Sequence, residues 1–579
     1  MYLQIDKFYL EIVTLLTMIT ALALSLWSAR ASHVVAAISS SLFILYGLYS
    51  GEFRVFYVVS GLVWLFSSTF SALHDRERWY SLTFSGTLLG IMITLLSQNY
   101  LEFLTGWELM TLFAYASIGV YRREWRPGYT FLAFGEVSTV LLIAGFILAY
   151  QETGTFLFHT LTDTLPLWFT TFGFTVKMGI FPFLMVEWLP IAHGNAKPSL
   201  SSVLSASMTL AGVYGIYKMM SLCPQTQALG GVLILIGAFS VLFGALYSYV
   251  SDHMKGMLAF STIENNGAIL TALGSLELSA DPVLKAFAQF SLMVYVVAHS
   301  LAKTGLFLVA GYVHGESMST LSTQRSFSLE IGTTLLTASM SGLLPTVGGV
   351  AVWSLLETLF MESISVRGIL GLIPLLAGVM VGMGEGFATG AMARFTSFTS
   401  LVRPRGGERG RLVLLIGVLM PVLALLSYLL SPEMAGAASL GMFSNSLIPS
   451  GYSGGSFGGI SPLYVLIILP ILSLITYLAS GRRRVRTVDP WDNGSGRRLT
   501  YTSFGMANNI RLMLRFVLRT RKSAVETSAD VFWRAILQLV RGYVRFSRAF
   551  SRAYMNSSIS WYMIYMILAF IVVILVVFL

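Results

Sequence analysis

The sequence predicts an all-α polytopic membrane protein, and three observations carry that prediction. The 579 residues are 55% hydrophobic and only 11% charged, with a mean hydropathy of +0.74, more apolar surface than a soluble domain can bury. Apolar runs of spanning length recur about sixteen times, centred near residues 18, 42, 63, 89, 109, 140, 178, 209, 238, 266, 298, 340, 380, 421, 470 and 569. The basic loops, Arg30, Arg76–Arg78, Arg122–Arg126, Lys255, Arg403–Arg411 and Arg482–Arg486, follow spans 1, 3, 5, 9, 13 and 15. All are odd, so every one lies on the same side. The excess of basic residues on cytoplasmic loops then places the N-terminus outside a cell membrane.

The first span, roughly Tyr9–Trp27, is longer than a signal-peptide core and lacks a small-residue cleavage site, so it reads as a retained helix. Spans 1–3 occupy residues 1–79. Two later spans are interrupted, the seventh by Gly179 and Pro182 and the twelfth by Gly342, Pro345, Gly348 and Gly349. Broken helices five spans apart point to inverted repeats with the transport pathway at the breaks. The plainer alternative is that Pro and Gly are common in membrane helices. A five-helix unit reverses orientation when repeated, which gives a first antiporter-like repeat over 80–222 (spans 4–8) and a second over 223–402 (spans 9–13). Residues 403–500 hold spans 14 and 15 and a basic loop.

Residues 501–555 differ from the rest. Arg511, Arg515, Arg519 and Lys522 recur every three or four positions, as do Arg541, Arg545, Arg548 and Arg552, with Leu512, Phe516, Val531, Phe532, Ile536, Leu539, Tyr543 and Val544 between them. That pattern predicts an amphipathic helix lying along the cytoplasmic interface, with a candidate break near Ser523–Ser528. A terminal span follows over 556–579. Between Arg482 and Arg552 there are 16 Lys/Arg against 4 Asp/Glu, a surplus of 12 that exceeds the whole-chain value of +10. Basic residues beside spans fix topology and meet anionic lipid headgroups, so nucleic-acid binding is excluded as their purpose. The single cysteine, Cys223, excludes an internal disulfide and any cysteine-held iron–sulfur or structural zinc site. The seven histidines offer no pair at ligand spacing on one helix, and no metal site is expected.

Charged groups inside the spans are the candidates for function, since each costs about 2.5–3.5 kcal/mol on insertion. Glu108 lies near the middle of span 5 and Lys177 precedes the break in span 7. A proton path needs acids and bases whose affinities respond to burial and to each other; the alternative is a static ion pair that locks two helices. Lys303 lies in span 11 with His299 one turn before it on the same face, a plausible relay or, for His299, a polar helix–helix contact. Glu264 sits in a polar patch of span 10 with Thr262, Asn265 and Asn266. Glu357 lies in the second half of span 12. Glu136 in span 6 and Glu385 in span 13 read more readily as polar groups facing a neighbouring helix. Lys218 and Lys285 sit at span ends, where snorkelling explains them. Asp252 and Lys255, like Glu187, His193 and Lys197, belong to loops or their edges.

These motifs resemble the antiporter-like subunits of respiratory complex I, Mrp-type cation/proton antiporters and membrane-bound group 4 NiFe hydrogenases. The likeness covers most of residues 80–400. Gly106-Trp107-Glu108-Leu109-Met110 is similar to the family's GWELM segment, and Lys177 falls at its broken-helix lysine. Trp188-Leu189-Pro190, Ala192-His193 and Pro198-Ser199 resemble WLPxAHxxAPS, the last pair one place late. Lys255, Leu258-Ala259, Ser261 and Ile263-Glu264-Asn265 resemble DxKRLLAYSSIEN, with Asp252 one place early; His299, Lys303 and Leu306-Phe307 resemble HxLxKxxLF. In the tail, Trp491-Asp492-Asn493-Gly494 and Tyr501-Thr502-Ser503-Phe504 resemble the formate-hydrogenlyase branch, with Asn493 in place of its cysteine. The chain departs from the family in two further places. Met208–Gly212 offers no basic residue on the eighth helix, and Val352 stands at the twelfth-helix acid, with Glu357 five positions later.

The resemblance implies an H⁺- or Na⁺-translocating subunit of a redox-driven complex. Glu108 and Lys177 would form the first half-channel, His299 and Lys303 the link between halves, Glu264 a further path element and Glu357 a candidate exit. Glu136, Glu385, Asp252 and Lys255 are weaker candidates. It implies no cofactor in this chain; iron–sulfur clusters, with a NiFe centre in the hydrogenase branch, would sit in a peripheral cytoplasmic redox module beside other membrane subunits. The alternatives are an Mrp-type secondary antiporter subunit and a scaffold whose channel has decayed.

Overall fold

In a computed structural model the described residues are 7–51, 53–180, 188–313, 315–318, 326–366, 368–401, 410–427, 462–479, 503–514, 531–554 and 564. They form helices, with no β-strand among them. Two compact units are present, 1–508 and 509–579, and each stands by itself here.

In the first unit α1 (Lys7–Leu24), α2 (Ala29–Leu48) and α3 (Arg54–His74) precede α4 (Arg78–Leu96), α5 (Tyr100–Arg122) and α6 (Trp125–Thr153). Local chemistry starts and stops these helices. Ser28 accepts from Ala31 N at 3.3 Å to cap α2, and Asn99 Oδ1 accepts from Glu102 N at 2.8 Å to cap α5. Glu102 returns the favour by accepting from Gln98 N at 2.8 Å.

The seventh span is two pieces, α7 (Leu165–Met178) and α8 (Trp188–Asn195), as its Gly and Pro predict; Pro182 and Glu187 lie outside the described residues. Gly179 ends α7 in the left-handed region at φ +70°. Breaking a helix inside a membrane leaves carbonyls short of donors, and side chains from a later helix and from α8 supply two. Asn266 Nδ2 donates to Met178 O at 2.7 Å, and Trp188 Nε1 donates to Val176 O at 3.1 Å; Gly179 N also donates to Val176 O at 3.2 Å.

The eighth span comprises α9 (Pro198–Val203), a π-helical turn at Leu204–Met208 and α10 (Thr209–Leu222). α11 (Gln227–Val250) and α12 (Met254–Leu278) pack backbone to backbone through small residues. A Cβ on Gly244 would stand 2.4 Å from Glu264 N, and one on Gly237 2.6 Å from Gly267 O. α13 (Pro282–Tyr312) runs through the middle, touching α3, α9, α12, α14 (Phe327–Met340) and α15 (Val347–Ser365).

The twelfth span is broken between α14 and α15, where Gly342 takes φ +61° and Thr346 Oγ1 caps α15 by accepting from Gly349 N at 3.3 Å. α16 (Leu372–Thr396), α17 (Arg411–Leu425) and α18 (Pro462–Ala479) complete this unit's long helices, with short α19 (Ser503–Met506) after them; α20 (Asn508–Met513) begins at the boundary and lies almost wholly in the second unit. Among the described residues, eleven helices are long and apolar enough to cross a membrane. The broken seventh span and the more polar α12 fall outside that count, and α17 and α18 are shorter apolar helices.

In the second unit α21 (Val531–Tyr554) carries Arg541, Arg545, Arg548 and Arg552 on one flank, while Val540, Tyr543, Phe546 and Phe550 lie exposed on the other. This is the amphipathic pattern that the sequence predicts. The stretch around Ser523–Ser528, the motif at Trp491–Gly494 and most of 556–579 lie outside the described residues.

Candidate ion pathway

Lys177, on the last turn of α7, is only 2% exposed. Its Nζ donates to Thr111 Oγ1 on α5 at 2.7 Å and lies 4.8 Å from the centre of the Phe131 ring and 5.6 Å from that of Trp107. Gly135 leaves room beside the amine; a Cβ there would stand 3.3 Å from Nζ and 2.8 Å from Thr111 Cγ2. Glu108 is half-buried on α5, and its Oε1 accepts from Thr139 Oγ1 at 2.5 Å. No direct ion pair joins Glu108 to Lys177 among the described residues. Each charge is met by a hydroxyl instead: Thr111 for the amine, Thr139 for the carboxylate. This differs from the static ion pair that composition alone allows. Glu136 lies exposed on α6, next to Gly135, and has neither hydroxyl as a hydrogen-bond partner.

The second cluster lies where α9–α10, α12 and α13 meet. Lys303 is fully buried, and its Nζ donates to Leu258 O at 3.1 Å. The same carbonyl accepts from Thr262 Oγ1 at 3.0 Å, and Thr262 shares a hydrogen at 2.6 Å with Ser205 Oγ in the π-helical turn. His299 Nε2 lies 3.2 Å from Ser205 O, and Ser300 Oγ donates to Ala206 O at 3.0 Å. A π turn displaces carbonyls from the regular helical ladder, which is why two of them face α13. Thus the eighth span, which carries no basic residue at Met208–Gly212, offers hydroxyls and carbonyls where it meets α12 and α13. Glu264 is buried on α12, and its Oε2 has no partner.

The twelfth-span break holds an arrangement that the linear sequence does not predict. A Cβ built on Gly342 would stand 3.1 Å from Val352 Cγ2 and 3.4 Å from Glu385 Oε2. Val352 therefore faces the break, and a carboxylate from α16 reaches the same spot. Tyr295 of α13 donates to Glu385 Oε1 at 3.1 Å, and Oε2 has no partner. Glu357 is buried on α15 with Oε1 unpartnered. Five residues along a helix are about 140° around and about 7.5 Å along it, so Glu357 does not share the face of Val352.

Asp252 and Lys255 hold the loops at the basic-loop end. Asp252 accepts from the Ser317 hydroxyl, and Lys255 Nζ donates to Ala196 O at 2.6 Å. Lys255 borders a cavity of about 490 Å³ that His74, Asp75, Glu77, Lys197 and His253 also line. Lys197 pairs there with Asp75 at 2.9 Å and Glu77 at 3.3 Å.

Residues 97–360, which hold the first cluster, the second cluster and α15 as far as Phe360, match the family model described as NADH:quinone oxidoreductase/Mrp antiporter, TM. This stretch is an antiporter-like domain of that family. Hydrogenase-4 component B of Escherichia coli (strain K12) is 27% identical over 492 residues, 76% of this chain and 72% of that protein. Formate hydrogenlyase subunit 3 of the same strain is 26% identical over 386 residues, 61% of each protein. A chain of the membrane-bound sulfane sulfur reductase, an archaeal respiratory membrane complex, shares the fold with a TM-score of 0.73 at 17% identity, over 97% of this chain and 99% of that one.

Proposed function

We propose that this antiporter-like chain is the H⁺- or Na⁺-translocating membrane subunit of a redox-driven respiratory or hydrogenase-type complex. The observation that carries the reading is the pair of buried lysines, Lys177 and Lys303, each held by neutral oxygens instead of a contacting carboxylate. A buried ion pair in contact is a lock; a buried cation solvated by dipoles, with carboxylates one group further away, is free to respond to charge elsewhere. Glu108 and Lys177 act in the first half, and His299 and Lys303 join the halves through Ser205 and Thr262. Glu264 and Glu385 carry charge to the twelfth-span break, with Glu385 standing where Val352 leaves the helix without an acid. The basic-loop end faces the cytoplasm of a cell membrane and the N-terminus lies outside.

The redox centres belong to partner subunits, which accords with the names of the relatives, a component of hydrogenase-4 and a subunit of formate hydrogenlyase. Purification from native membranes in mild detergent tests this directly. Co-purifying cysteine-rich subunits with iron–sulfur signals are expected. Small membrane subunits alone would favour the Mrp-type antiporter, a reading that the family description keeps open. In that case a sodium jump would release protons from vesicles without any electron donor.

A further inference from the structure

Glu362 plays no part in the pathway described so far, yet it is one of the most deeply enclosed carboxyls among the described residues. It sits on the last turn of α15, at the end of the bundle opposite the basic loops, and is fully buried. Its Oε1 accepts from Ser279 Oγ at 2.5 Å; its Oε2 has no partner, and neither does the buried Ser275 Oγ one turn earlier on α12. No cation forms an ion pair with it among the described residues. A carboxylate so placed has one hydrogen bond to set against its desolvation, a poor arrangement for a permanent tie.

Both sides of Glu362 lead somewhere. Inward, Ser354 and Thr358 precede it at intervals of four on the buried face of α15, and both are fully buried. Their hydroxyls donate to Ala351 O at 2.9 Å and Ser354 O at 2.7 Å, which leaves oxygen lone pairs free to accept. This row spans about 12 Å of helix toward the twelfth-span break. Outward, exposed Gln225 donates from Nε2 to Ser279 O at 2.7 Å and to Glu277 O at 2.9 Å, while its Oε1 accepts from exposed Lys285 at 3.3 Å. Buried Glu277 lies beside this route, its Oε1 accepting from Thr226 N at 2.5 Å.

We propose that Glu362, with Ser279, is the proton port of the second half at this end of the bundle. Inward, Ser279 gives its proton to Oε1 as Oε2 of the protonated acid gives its own to the α15 side, and Ser279 regains one from outside. Outward, the acid turns to carry its proton on Oε1 and donates it to Ser279 Oγ, which releases its own proton outward while Oε2 takes the next from the α15 side. A carboxyl with one hydrogen-bonded hydroxyl, Ser279, and a second at Ser275 suits proton exchange better than coordination of a dehydrated cation, which needs about six oxygens.

The proposal rests on the reading of the chain as an ion-translocating subunit, and the test separates the two. The intact complex is reconstituted in liposomes, and proton movement and electron transfer are followed together. Glu362→Gln keeps an acceptor for Ser279 but cannot carry a proton; proton movement per electron should fall about tenfold or more, with assembly and electron transfer retained. Glu362→Asp should restore part of it, and Ser279→Ala should lower it without unfolding the chain. Unchanged coupling in both Glu362→Gln and Ser279→Ala overturns the port while the functional reading stands. Absence of transport by the unmodified complex overturns both.

Discussion

Thr111→Val tests whether the hydroxyl beside Lys177 serves transport. Valine keeps the shape of threonine and deletes only the oxygen that accepts from Nζ at 2.7 Å. The lost bond is charge-assisted, worth about 1.5–3 kcal/mol. The ring faces of Phe131 and Trp107 remain, so the amine keeps part of its stabilisation. Any step that places charge on Lys177 should then shift by about ten- to a hundredfold in its equilibrium. In liposomes containing the intact complex, ions moved per electron should drop while electron transfer continues, and Thr111→Ser should behave as the unmodified protein. If the bond is only a structural tie, thermal stability will fall with coupling intact. That outcome refutes the reasoning.

Other consequences follow from the same geometry. Glu385→Gln should impair coupling more than Glu357→Gln, because Glu385 stands at the twelfth-span break; the reverse order, measured as ions per electron, would restore the exit role to Glu357. Gly244→Ala drives a Cβ to 2.4 Å from Glu264 N and should destabilise the α11–α12 pair by about 1–3 kcal/mol, whereas Gly382→Ala, inside α16, meets nothing within 4 Å and should leave the thermal transition in detergent unmoved or slightly raised; a fall of similar size in both would contradict the packing argument. Lys197→Met leaves Asp75 buried without its cation, a loss of about 3–5 kcal/mol that Asp75→Asn in the same chain should largely recover; additive losses would show that the pair is uncoupled. Burial pushes the Cys223 thiol, just past the end of α10, up to about 12, so thiolate is scarce at neutral pH. Maleimide labelling of the folded protein should therefore be far slower than after denaturation, and equal rates would contradict its burial.

Much of the pathway is legible in the sequence because ionisable residues are conspicuous in apolar runs. Glu108, Lys177, Glu264, His299 and Lys303 all announce themselves this way, and Gly179 and Gly342 mark the breaks that place them. The hydroxyls do not. Thr17 and Thr20 bond to Val13 O and Leu16 O one turn back and do nothing further, and in the sequence they look no different from Thr111 and Thr139. What separates them is which neighbour the helix face meets, and that is decided by packing. The same holds for Glu385 and Glu357. Counting along the twelfth span finds Glu357, but the carboxylate that reaches Gly342 comes from a different helix. Glu362 escapes notice because it stands near a span end, where an acid is cheap unless the chain folds over it, as Ser279 does here. The π turn at Leu204–Met208 has no sequence mark, and it is what turns Ser205 O toward His299.

The central claim is that buried lysines without contacting counter-ions move charge through this chain. Its most direct test is ions translocated per electron by the reconstituted complex carrying Lys177→Ala or Lys303→Ala. The account predicts that either substitution abolishes translocation while electron transfer partly survives. Full translocation with both lysines replaced would contradict it.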